Sequence, residues 1–264
     1  MKKILLAGLM LLLFCSSAWA EQPEWTYPLE PEILANTEGY ITLANKDVLL
    51  DEDYEPQDLE KLKVRNVVDD LVREEVNDAL EAMFAAAEED GCKLYVKSAY
   101  RSYQTQHTMY FNRLEKNNGK DDGWVSYPGA SDHQTGLGID VLNYAWTKKE
   151  GMNEKFGLEE EAKWMAEHCW EYGFVIRYME DKEDITKINY EPWHLRYVGL
   201  EVARYMQEKH FSLEEFTEDW QIYLSDWEAQ GGNFKELLKE RAKINVTVVG
   251  YSEDGEEEVM LSHW

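Results

Sequence analysis

The chain has 264 residues, 44% hydrophobic and 30% charged, enough for one sizeable core or two small ones and unlike a disordered or fibrous composition. Lys and Arg total 27 against 53 Asp and Glu, a formal net charge of −26. That balance leaves no general phosphate-neutralising surface and argues against nucleic acid or an acidic lipid leaflet as a partner.

Residues 1–20 read as an address. Lys2-Lys3 precede an apolar run from Ile4 to Phe14, and Ala18-Trp19-Ala20 follows, the charged, apolar and small-residue order of a secretory signal cleaved after Ala20. The apolar run falls short of the roughly 20 residues a membrane span needs, and the polar Glu21-Gln22 comes next. The expectation is a protein of the cell-wall space or periplasm, with no membrane insertion after signal cleavage. Cleavage removes two lysines and no acids, leaving 25 basic and 53 acidic side chains, a charge of −28. Of the cysteines only Cys92 and Cys169 then remain, as one disulfide or two buried thiols. Without a Cys-x-x-Cys or a Cys/His cluster, zinc held by sulfur is excluded.

Residues 21–65 contain Pro, are acidic and lack a sustained period, which suggests an extended N-terminal lead-in on the surface. Asp51, Asp53 and Glu55 imitate the start of a calcium loop, but Pro56 stands where its sharp turn needs glycine, leaving a solvated acidic loop. From Val72, apolar positions Val76, Ala79, Leu80, Met83, Phe84 and Ala87 recur at three- and four-residue steps, predicting an amphipathic helix stopped by Gly91. Lys93 to Tyr100 reads as a strand. Ser102 caps a helix through Glu115, closed by Asn117-Asn118-Gly119. A Gly/Pro/Ser-rich loop from Ser126 to Gly138 leads into a strand at Ile139 to Leu142. A helix from Glu159 to Tyr172 ends at Gly173, and a strand follows at Phe174 to Tyr178. Tyr190 to Val198 is extended, and Gly199 opens the last core helix, to Lys209. Strands and helices mix without regular alternation, so the fold class is α+β, an antiparallel sheet with flanking helices. Residues 66–216 form the core domain and 217–264 a C-terminal appendage, with an amphipathic segment at Trp220 to Trp227, a helix at Lys235 to Lys243 and a β-rich run at Ile244 to Tyr251.

Three segments combine reactive side chains with special backbone residues: Ser131 to Asp140, Glu191 to Tyr197, and Tyr100 to Tyr103 with Gln106 one turn on. A hydrolytic zinc site needs three nitrogen or oxygen ligands, an open position for water and a separate carboxylate to take the water's proton. His133, Asp140 and His194 can supply the ligands, and Glu191, three residues before His194, the carboxylate. Pro192 argues against a helix interior, so neither a helical Glu-x-x-His nor a His-Glu-x-x-His site is present. On spacing alone, coincidence stays open.

The same segments resemble the VanY-type D-alanyl-D-alanine carboxypeptidases of zinc peptidase family M15, whose signatures run S-x-H-x-x-G-x-x-x-D and E-x-W-H-x-R-Y. Both are complete here, at Ser131, His133, Gly136 and Asp140 and at Glu191, Trp193, His194, Arg196 and Tyr197. Similarity extends to Asn45-Lys46, Tyr54 to Leu59, Tyr100 to Ser102 and Gly173 to Tyr178, spanning about Leu43 to Phe216. The resemblance implies the zinc fold shared by the DD-peptidases and Hedgehog, with 66–216 as catalytic domain. It implies that His133, Asp140 and His194 bind Zn2+, that Glu191 is the catalytic base, and that Arg101 meets the terminal carboxylate of a peptidoglycan stem peptide. The planar fork of arginine suits that last task. Ser131 and Gln106 match residues that touch substrate in the family. One departure is Gly138, where alanine is commoner, which is expected to loosen the loop between two ligands. No Ser-x-x-Lys or Gly-x-Ser-x-Gly segment offers a serine route.

The implied activity is removal of the terminal D-alanine. The metal motifs leave open an L,D-carboxypeptidase acting on tetrapeptide stems, a dipeptidase, and a non-catalytic cell-wall binding protein on the same scaffold. They leave open the oligomeric state too. Glu191 could instead pair with Arg196, and Arg101 with one of many acids. Trp193 and Tyr197 are expected to wall the site, and His107, His168, His210 and His263 to be packing or surface residues.

Overall fold

The computed structural model describes residues 22–68, 70–244, 249–251 and 257–259, so the signal segment 1–20 and His263 lie outside the described residues. In chain order, α1 (Pro31–Leu34) is followed by a pair of short antiparallel strands, β1 (Leu59–Lys61) and β2 (Leu71–Arg73). Helix α2 (Glu74–Glu89), strand β3 (Leu94–Ser98) and helix α3 (Tyr103–Lys116) come next. A 3-10 turn, Asp132–Thr135, leads into β4 (Gly138–Asn143) and the short α4 (Tyr144–Thr147). Then α5 (Glu160–His168), β5 (Phe174–Ile176), α6 (Glu183–Thr186), β6 (His194–Tyr197) and α7 (Leu200–Lys209) complete the core. Helices α8 (Leu213–Ala229) and α9 (Phe234–Ile244) and a two-stranded ladder of β7 (Val249–Tyr251) with β8 (Glu257–Val259) end the chain.

Residues 27–224 make one compact unit, and the described parts of 1–26 and 225–264 make another. In the smaller unit Trp25 packs edge-on to Trp227 at 5.4 Å, and the Trp227 indole donates to the Pro23 carbonyl at 3.1 Å. In the larger unit the segment read as a surface lead-in contributes buried Leu29, Leu34, Ile41 and Ala44. It carries α1 and β1, whose three- and four-residue lengths are too short to leave a periodic signature.

The main sheet runs β3-β4-β6-β5, with every neighbouring pair antiparallel. Helix α2 forms because its buried positions Val76, Leu80, Met83, Phe84 and Ala87 fall on one face. It closes where Gly91 takes a φ of 84° and Cys92 N–H reaches back to the Ala87 carbonyl at 2.7 Å. Ser102 caps α3, its hydroxyl accepting from Thr105 N–H at 3.3 Å. The helix expected to reach Tyr172 tightens into a 3-10 turn at Cys169, and Gly173 ends it at φ 83°. Both cysteines are free and buried, and burial pushes the Cys169 thiol up to about 12.

Register places the chemistry. Asp140 on β4 pairs directly with His194 on β6, and Gly138 pairs with Arg196. Because strand side chains alternate, these four share one face, while Ile139, Val141, Leu195 and Tyr197 turn into the core. Tyr197 therefore packs against Phe174 and Tyr40 and is a core residue rather than the expected wall of the site. Gly138 is likewise not a source of slack. A Cβ there would lie 2.8 Å from the Asp132 carbonyl carbon and Cβ and 2.9 Å from His133 N. The missing side chain lets the 3-10 turn lie directly on β4.

Gly138→Ala should therefore destabilise the protein by about 1–3 kcal/mol through overpacking against backbone. Urea unfolding reads this as a lowered midpoint; an unchanged midpoint would show that the turn has room to retreat.

Candidate metal centre

His133 leaves the 3-10 turn, Asp140 leaves β4 and His194 leaves β6, and all three side chains are buried. One donor atom from each lies within 4.8 Å of the others. His133 Nε2 stands 3.5 Å from Asp140 Oδ1, and His194 Nδ1 stands 3.0 Å from the same oxygen. Tetrahedral bonds of about 2.0–2.1 Å would put donor atoms about 3.3 Å apart, close to the two spacings from Asp140 to the histidines.

The second ring nitrogens fix which atoms face inward. His133 Nδ1 lies 2.6 Å from the Ala99 carbonyl, which can only accept, so the proton sits there and Nε2 keeps its lone pair for the cluster. His194 turns Nδ1 inward and leaves Nε2 buried without a hydrogen-bond partner, 4.0 Å from Asp132 Oδ2. Burial, with the Arg101 charge, lowers the His133 pKa and keeps the ring neutral. Burial alone would raise Asp140, yet the two histidines hold it far below the usual carboxylate range. Two imidazole nitrogens and one carboxylate oxygen fit a borderline divalent cation such as zinc, and the cluster has no thiolate.

Glu191 lies at the edge of this cluster, its Oε2 3.8 Å from His194 Nδ1. Burial, reinforced by the Asp140 charge and opposed by Arg101, raises its pKa well above that of a free glutamate. It does not pair with Arg196. That arginine bonds to Asp132, to the Tyr40 carbonyl at 3.0 Å and to the Thr42 carbonyl at 2.7 Å.

Arg101 and Ser131 line the same groove as the cluster, a cavity of about 410 Å³ that Trp124, Met109, Met152, Tyr178 and Trp193 also line. Trp193 stacks on Trp124 at 6.1 Å. Gln106 is fully buried beneath it: its Oε1 accepts from Arg101 Nη1 at 2.8 Å, and its Nε2 donates to the Ser126 carbonyl at 2.6 Å. With Ser98 Oγ accepting from Arg101 Nη2 at 3.0 Å, the guanidinium is held from two sides. The remaining histidines among the described residues lie apart: His107 packs at a tilt on Phe111, His168 pairs with Glu171 and His210 with Asp181.

The layer behind the ligands escaped the sequence reading. Asp132, completely buried, accepts from Arg177 Nε at 2.7 Å and from Arg196, and Glu214 at the start of α8 grips the other edge of Arg177 with two bonds of 2.7 Å. Two acids and two arginines thus form a neutral buried network. Arg177 and Arg196 stand in segments already singled out by resemblance, but nothing in their spacing names Asp132 as the shared acceptor.

A family model described as VanY, D-alanyl-D-alanine carboxypeptidase, matches residues 69–200. The chain is 40% identical over 200 residues to YodJ of Bacillus subtilis (strain 168), which bears the name of a carboxypeptidase, covering 71% of this chain and 70% of that one. Among solved structures, the LdcB LD-carboxypeptidase aligns at 41% identity and a TM-score of 0.62, over 67% of this chain and 84% of that one. The D,D-pentapeptidase VanY from a VanB-type vancomycin resistance cassette, solved as a mutant with Zn(II), aligns at 28% identity and a TM-score of 0.56, over 67% and 98%.

Glu214 tests the buried network through pH. Burial would raise its pKa, but the Arg177 charge wins and lowers it below the usual 4.5. A depressed folded pKa contributes stability that is complete above the unfolded value and lost as pH falls through the folded one. Glu214→Gln should therefore be about 1.5–3 kcal/mol less stable than wild type at pH 7. The gap should narrow in urea titrations at about pH 3, below the free glutamate value; a constant gap would mean that the charge contributes nothing.

Proposed function

The chain belongs to the VanY family of D-alanyl-D-alanine carboxypeptidases, and from that premise we propose that it is a zinc-dependent enzyme removing the terminal D-alanine from peptidoglycan stem peptides. The observation that carries this reading is the gathering of two histidines, one aspartate, a raised-pKa glutamate and a braced arginine in one groove.

His133 Nε2, Asp140 Oδ1 and His194 Nδ1 would hold the metal. Bound zinc would lower the pKa of water toward about 7 and polarise the scissile carbonyl. Arg101 takes the substrate's terminal carboxylate in its planar fork, and Gln106 and Ser98 keep that fork aimed. Gln106 thus serves the substrate as a positioning residue, while Ser131, in the groove wall, is close enough to touch the peptide. Glu191 removes a proton from the attacking water and returns it to the leaving amine, a task suited to a carboxyl whose pKa burial has raised well above that of a free glutamate. No acyl-enzyme is required.

Two substrates fit this chemistry. The description of the matching family favours the pentapeptide and D,D cleavage. Tetrapeptides and L,D cleavage are favoured by the higher identity to LdcB, 41% against 28% for the D,D-pentapeptidase over the same share of this chain. The secretory signal read at residues 1–20 would bring the enzyme to this substrate, and among the described residues no helix is long and apolar enough to cross a membrane.

Incubating the zinc-loaded protein with penta-, tetra- and tripeptide stems, with and without chelator, and weighing the products tests the reading. Loss of one alanine from the pentapeptide establishes D,D cleavage, loss from the tetrapeptide L,D cleavage, and chelator should abolish either. Intact stems throughout would refute the function. Glu191→Gln should keep its zinc and lose about 100- to 10,000-fold in turnover, as removal of a general base does. His194→Ala should instead lose metal by elemental analysis, with an affinity drop beyond the roughly 10–100-fold of a lost outer-shell partner.

A further inference from the structure

Two cations line the groove, Arg101 beside the cluster and Arg113 on the last turn of α3. The first is absorbed into the function above. The second is side-chain exposed, and it is held in place: Asp122 accepts from its Nη2 at 2.6 Å and from its Nε at 2.9 Å. Asp122 is in turn part of a fixed loop, its carbonyl accepting from Asn189 Nδ2 at 2.8 Å. A guanidinium carries five N–H donors in a planar fork. Asp122 occupies the edge formed by Nε and Nη2, which leaves the edge formed by Nη1 and Nη2 with its remaining donors. That edge can take a second carboxylate bidentately, already oriented.

Electrostatics gives this open edge a task. The chain carries a net charge of −26, and Asp140 and Glu191 stand in the same groove, so an acidic peptide meets repulsion along its path. Arg113 and Asp122 together carry no net charge, so what Arg113 adds on that path is an open pair of oriented donors that one class of substrate can use. Helix α3 sets the spacing: Tyr103, two residues after Arg101, and Arg113 are separated by about 15 Å of helical rise. An extended peptide covers that distance in about four residues, at about 3.3 Å each. The reach of the guanidinium brings side groups two to four residues upstream of the terminal one within its range.

We propose that Arg113, oriented by Asp122, is a specificity-determining residue that binds a free carboxylate two to four residues before the terminal residue of the substrate peptide. The inference rests on the reading of the groove as a carboxypeptidase site. Carboxylates at these positions come from an acidic residue linked through its side chain or from a dicarboxylic side chain, and the test separates them.

Synthetic peptides ending in D-alanine are made in pairs, with a carboxylate or its carboxamide placed in turn two, three or four residues before the end, in the main-chain branch or in the side chain. The zinc-loaded wild type should prefer the carboxylate at one of these positions by about tenfold in kcat/KM, expressed in KM and not in kcat. Arg113→Gln should bring that ratio to about one. A ratio of one in wild type at every position, or a preference that survives in Arg113→Gln, overturns the proposal and leaves Arg113 a surface ion pair with Asp122. Calorimetric binding of the same pairs to the zinc-loaded Glu191→Gln protein, with and without Arg113→Gln, reads the preference independently of turnover. Discrimination in binding without cleavage by wild type would refute the carboxypeptidase reading and keep the anion site; cleavage without discrimination would do the reverse.

Discussion

The site depends on one buried carboxylate. Asp132 sits completely out of water between Arg177 and Arg196, and each arginine ties it to a different part of the fold. Arg177 extends β5 and carries the bond onward to Glu214, while Arg196 reaches back to the carbonyls of Tyr40 and Thr42. Burying three charges and most of a fourth is expensive, and such a network is tolerable only because every charge has an opposite partner in good geometry. The result is a frame under the ligands: His133 follows Asp132 in the chain, and His194 lies two residues from Arg196 on the same strand face. A rigid frame matters because a metal centre tolerates little displacement of its ligands.

The groove shows the converse electrostatics. Behind the ligands the charges balance, whereas at the ligands Asp140 and Glu191 share a buried space with Arg101 as counterweight, and the strain appears as a raised Glu191 pKa. This difference distinguishes the scaffold from the working part of the molecule. Paired charges hold the shape, and an under-compensated carboxyl is the kind of group that proton transfer would use. A divalent cation among His133, Asp140 and His194 would complete that balance.

Much of this was legible beforehand, for identifiable reasons. Helices α2 and α3 were readable because their apolar spacing and caps are local signals, Gly91 and Ser102 in particular. The candidate ligands were readable as a group because the loop and strand that carry them hold reactive residues at set spacings beside Gly136 and Trp193, and the fold brings them together. What was not readable is what depends on pairing across the fold. The Asp132 network joins residues up to 82 positions apart, and β1 and β2 are too short to show a period. Two misreadings came from reasoning locally. Tyr197 was grouped with its motif neighbours, although strand alternation sends it away from His194's face, and Gly138 was judged by its flexibility when its lack of volume is what the Asp132 backbone requires.

The facing of Asp140 and His194 across β4 and β6 has a consequence for assembly of the molecule. A slip of one residue between those strands would turn one ligand into the core and break the coincidence with the other, since side-chain direction reverses at each step. The native register is the one that sets Asp140 directly opposite His194. Metal capture at this cluster would therefore act as a checkpoint on strand pairing, favouring correctly registered chains over misregistered ones by the free energy of coordination.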